Sequence, residues 1–137
     1  MEIEDYIAAK LAYEKNKNIT QVLKDRLRIS NNTPEIIAAS YDLQSGTYSD
    51  NAMNKPEFYS ERSEEVFLFL KSNLAKFNSI LDVGSGELTM FARLASLLDR
   101  NEKIDFYATD ISASRLSTGK KRLSNEFSIV KKINLSV

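Results

Sequence analysis

The chain has 137 residues, 42% of them hydrophobic and 28% charged, and its 19 basic and 19 acidic side chains cancel. That length supports one compact domain or part of a larger one, and zero net charge without a dominant basic cluster argues against a nucleic-acid binder driven by phosphate contacts. No run approaches the roughly 18 apolar residues of a membrane-spanning helix, and the start Met1-Glu2-Ile3-Glu4-Asp5 is acidic where a signal peptide is basic; the expectation is a cytoplasmic protein with no membrane partner.

The first third reads as helical. Ile3, Ile7, Ala8 and Leu11 make one apolar stripe; Val22, Leu23 and Leu27 make a second after the polar break Lys15-Asn16-Lys17-Asn18. A third helix is expected from Thr33-Pro34-Glu35, with Thr33 as cap, Pro34 in the first turn and Glu35 at the positive end of the dipole, ending near Tyr41. Asp42 to Asn51 is rich in turn formers and without periodicity, which predicts a loop suited to a lid. Together these segments form an N-terminal cap over residues 1–54. From Pro56 a longer helix carries Tyr59, Val66, Phe67, Leu70 and Leu74 on its apolar side.

The most informative stretch follows. Ile80, Leu81 and Val83 have strand character, Gly84 and Gly86 allow a tight turn close to a ligand, and a helix is expected to start at Glu87 with Phe91, Leu94, Ala95 and Leu98 on its buried face. A second strand spans Ile104 to Ala108, Ser112 can cap the next helix with Leu116 and Leu123 facing inward, and Phe127 to Ile133 reads as a third strand. Lys120-Lys121-Arg122 reads as the solvated last turn of that helix. The alternation predicts an α/β fold of three parallel strands with flanking helices over residues 55–137. The chain contains no Cys and no His, so thiolate chemistry, cysteine or histidine metal sites and a Ser-His-Asp triad are excluded. No metal site is expected.

Leu81-Asp82-Val83-Gly84-Ser85-Gly86 resembles the first motif of the class I S-adenosylmethionine-dependent methyltransferases, an acid two residues before a G-x-G turn, and Asp110 resembles that family's second acidic motif. The resemblance implies a Rossmann-like methyltransferase fold with S-adenosyl-L-methionine as cofactor. Gly84, Ser85 and Gly86 would lie against its methionine part, Asp82 would support its amino group, Asp110 would receive both ribose hydroxyls, and Ile111 would touch the adenine. A carboxylate at a strand end suits two vicinal hydroxyls because it only accepts, and Asp110 stands 24 residues after Gly86, room for one helix and one strand. Tyr41, Gln44 and Tyr48 are expected to close over the cofactor.

Two departures accompany the resemblance. Leu88 stands where the family often has a third glycine, and the chain stops after the third strand, before the strands that carry the family's acceptor pocket. An incomplete sheet with an open apolar edge predicts either a longer protein cut here, the favoured reading, or an edge covered by another chain through self-association. The alternatives are a nicotinamide-dinucleotide fold, which would want Gly or Ala at Thr89 and an apolar residue at Asp82, and a non-catalytic module pairing through its strand edge. The predicted reaction is methyl transfer to a small molecule, sugar or protein by alignment and electrostatics; no catalytic residue is assigned.

Overall fold

A computed structural model of the chain describes residues 1–73, 78–97, 104–126 and 133–136. The chain divides into two units, Met1–Ser45 and Gly46–Val137.

The first unit is a helical assembly of α1 (Ile3–Glu14), α2 (Ile19–Leu27) and α3 (Pro34–Leu43). Asn18 caps α2 through its side-chain oxygen, which accepts from the Gln21 N–H at 3.0 Å, and Thr33 caps α3 through an equivalent bond to Ile36. Leu23 and Ile36 are fully buried with Ala9, Ile19 and Ala39, and Tyr13, Leu27 and Leu43 pack around them. The stripe expected to bury α1 is the wrong one. Ile3, Ile7 and Leu11 are exposed, whereas Asp5, Ala9 and Ala12 are buried. The inward face is made of alanines that permit close helix approach, plus an aspartate whose burial is offset by Arg26, Nε to Oδ1 2.9 Å. Hydrophobicity alone selects the isoleucine stripe; the ion pair selects the other.

The second unit begins with α4 (Thr47–Asn54) and α5 (Pro56–Lys71). The helix α4 replaces the second half of the expected loop. Of the apolar side predicted for α5, Phe67 and Leu70 are half-buried and Val66 is exposed, while the polar Ser63 is fully buried. Leu74 and the Tyr59 side chain lie outside the described residues. The chain then runs through β1 (Ser79–Val83), α6 (Thr89–Leu97), β2 (Asp105–Thr109), α7 (Ala113–Glu126) and β3 (Ile133–Ser136).

The strands pair in parallel in the order β1-β2-β3, with Asp82 opposite Ala108, Val83 opposite Thr109, and Phe106 opposite Ile133. Most of the stretch expected as a third strand, 127–132, lies outside the described residues. On one face of the sheet Leu88, Phe91, Ala108, Leu116 and Leu123 form a buried core, and Phe91 meets Phe106 edge-on with ring centres 4.4 Å apart. On the other face Leu81 and Val83 are 62% and 74% exposed. Consecutive parallel strands joined through helices bring the C-terminal ends of β1 and β2 to one end of the sheet.

Candidate cofactor site

At that end the chain turns through Gly84, Ser85 and Gly86. Gly84 and Gly86 have φ of +73° and +52°, the left-handed region glycine enters without steric cost. The turn is stapled to β2, because the Thr109 carbonyl accepts from the Gly84 N–H (2.8 Å), the Ser85 N–H (3.1 Å) and the Ser85 hydroxyl (3.1 Å). Ser85 thus donates both its N–H and its hydroxyl proton to the fold, and its hydroxyl oxygen keeps acceptor capacity for a ligand. A Cβ added to Gly84 would meet no atom within 4 Å. The space beside that glycine is open to a ligand.

Asp110, the residue after β2, is buried, and its two oxygens accept from the Gly86 N–H at 2.8 Å and the Ser112 N–H at 2.9 Å. Each carboxylate oxygen offers two lone pairs, so both retain an acceptor position. Ser112 in turn caps α7, its hydroxyl accepting from the Arg115 N–H at 3.2 Å. Asp82, half-buried near the end of β1, has its carboxyl pushed above the usual value, first by burial and then by the negative charge of Asp110. Two carboxylates thus face one region at the strand ends. A cationic or hydroxyl-bearing ligand relieves that repulsion. Ile111 is 40% exposed beside Asp110.

The structure brings Asp82, Gly84, Ser85, Gly86, Asp110 and Ile111 to one end of the sheet. Tyr48 stands on α4 in the same unit, its ring centre 4.4 Å from the Arg115 guanidinium carbon. Tyr41 and Gln44 belong to the first unit: Tyr41 lies on the exposed side of α3, and Gln44 ends that helix with its Nε2 donating to the Ser40 carbonyl at 3.0 Å. Among the described residues no group of three acidic side chains is arranged to hold a metal ion.

Sequence reasoning passed over Glu87 and Arg115. Glu87 is 2% exposed, accepts from the Gly46 N–H (2.9 Å) and the Ser49 N–H (2.8 Å), and pairs with Arg115 at 3.7 Å. The signal for Arg115 is its place beside Leu116 on the inward side of α7, where a cation needs a partner. Glu87 carries no such signal, since an acid at a helix start is ordinary.

A strand, a glycine turn, a helix and a second strand ending in an acid bonded to that turn define a Rossmann-like nucleotide-cofactor site. The family model described as "Histidine-specific methyltransferase, SAM-dependent" matches residues 17–136, and the chain belongs to that family. It is an S-adenosylmethionine-dependent methyltransferase with a Rossmann-like fold. No curated protein and no solved structure matched the chain. Among the described residues no helix is long and apolar enough to cross a membrane.

Proposed function

We propose that this chain supplies the cofactor-binding half of a methyltransferase acting on a histidine compound, with Gly84 to Gly86 against the methionine part of the cofactor, Asp82 on its amino group, Asp110 on the ribose and Ile111 against the adenine. The observation that carries this reading is the bond from Gly86 to Asp110, which ties the glycine turn to the proposed ribose acceptor. When bound, S-adenosylmethionine supplies an electrophilic methyl on a sulfonium. Asp82 and Asp110 provide negative potential for that cation, and the turn aligns it. Tyr48, which lies in the same unit as these residues, completes the proposed set.

The family's description supports a histidine compound as the acceptor. The test supplies S-adenosylmethionine labelled in the methyl group with L-histidine, a histidine-containing peptide and a sugar, and reads products by mass spectrometry. The chain has no histidine of its own, so labelled methylhistidine can come only from the added acceptor. Label on a histidine compound supports the proposal, and label on the sugar alone overturns the acceptor. Binding without transfer to any of the three would support the cofactor site and leave the histidine acceptor without support.

The exposed Leu81 and Val83 on an edge strand favour a further reading, association through that side of β1. Leu81→Lys with Val83→Lys is expected to reduce the solution mass to that of one chain. A parent already monomeric by light scattering would remove this reading.

A further inference from the structure

The helix α4 is a weak helix by its own sequence. Thr47-Tyr48-Ser49-Asp50-Asn51-Ala52-Met53-Asn54 is dominated by residues that compete with the helical backbone, and eight residues are too few to persist alone. Its first turn is held instead by a side chain 41 residues from Gly46: both Glu87 oxygens accept N–H groups there, a charge-assisted arrangement that the helix dipole favours. Glu87 directly follows the glycine turn, so any movement of the turn moves the cap of α4. Arg115 closes the circuit. Its guanidinium pairs with Glu87, stacks on Tyr48 and packs against Gly86 so tightly that a Cβ there would stand 2.8 Å from Nη2. It also begins at the end of α7 that Ser112 ties to Asp110. One planar cation meets an acid, a ring and a glycine at once, which an ammonium does poorly.

We propose that Glu87 and Arg115 are positioning residues that seat Tyr48 at the glycine turn and couple cofactor occupancy to the placement of α4. This rests on the reading of the turn as the cofactor site. Asp110 ligation of the ribose draws on the same carboxylate that holds Gly86, and the turn transmits the change through Glu87 to α4.

The chain has no tryptophan, so Tyr48→Trp gives a single indole reporter that retains a face for Arg115. Titration of the full chain carrying this reporter with S-adenosylhomocysteine is expected to shift the indole emission. With Arg115→Met added, the shift is lost and the Kd rises about tenfold, a change of about 1.4 kcal/mol. With Arg115→Lys, which keeps the charge, part of the affinity returns without the emission shift. An indole insensitive to saturating ligand, or an Arg115→Met chain that keeps both affinity and shift, overturns the proposal. If Arg115→Met does not fold, Tyr48→Leu at the partly exposed ring decides by calorimetry: weakened binding supports the coupling, and unchanged affinity refutes it. A parent chain that binds no S-adenosylhomocysteine removes the cofactor reading and this proposal together, an outcome distinct from intact binding with a silent reporter.

Discussion

Leu88 adopts φ +56° while its side chain is fully buried. The position where related enzymes often have a third glycine thus keeps the left-handed backbone, with a leucine in it. A non-glycine residue pays about 1–2 kcal/mol for that conformation, and here burial in the core with Phe91, Leu116 and Leu123 offsets the strain. The ordinary order of substitutions should therefore invert. Leu88→Ala loses the packed side chain, about 2–5 kcal/mol, and keeps the strain, whereas Leu88→Gly loses the packing and sheds it. Leu88→Gly is expected to be the more stable variant by about 1 kcal/mol in urea denaturation.

Asp82 carries a second residue-scale consequence. Its folded pKa lies above the unfolded value, so the folded state holds the proton longer, and stability falls as pH rises from the usual aspartate range near 3.8 through the raised value. A bound cation acts in the opposite sense, because it favours the ionised carboxylate. Affinity for S-adenosylmethionine should rise with pH across that window and the rise should vanish in Asp82→Asn, as calorimetry at several pH values would show.

At the scale of elements, Gly119 lets α7 lie directly on the turn leading into α6. A Cβ there would stand 2.5 Å from the Glu87 carbonyl oxygen, a backbone atom with no freedom to swing away. Alanine improves helix propensity by about 0.8–1 kcal/mol, but forcing the two elements apart costs about 1–3 kcal/mol. Gly119→Ala is expected to lower both Tm and ligand affinity, since the displaced turn carries the proposed site. An unchanged Tm would mean the helix can slide.

The same elements show what was legible in the sequence. The strands at Ser79 and Asp105, the glycine turn, the Ser112 cap and the inward Leu116 and Leu123 all follow from local pattern, and each is found. The expected start of α6 at Glu87 falls two residues early, because Leu88 bends the chain left-handed before Thr89 opens the helix. The helix α4 was not legible, because its cap comes from a side chain far along the chain. The buried face of α1 was hidden for the same reason: Arg26 makes Asp5 an inward residue and holds its carboxyl below the ordinary range through their hydrogen bond.

At the scale of the whole molecule, each unit has its own core, one built from α1, α2 and α3 and one from the sheet with α6 and α7. The proposed cofactor groups Asp82, Gly84, Ser85, Gly86, Asp110 and Ile111 all lie in the second unit, which also contains the cap of α4. Binding should therefore report on that unit. The most direct test is calorimetric titration of the chain and of Asp110→Ala with S-adenosylmethionine, S-adenosylhomocysteine and NAD. Both sulfur ligands are expected to bind and NAD is not, and Asp110→Ala is expected to weaken binding by about tenfold or more, the loss expected for bonds to a charged acceptor. Binding of NAD in their place, or full affinity without Asp110, would contradict that expectation.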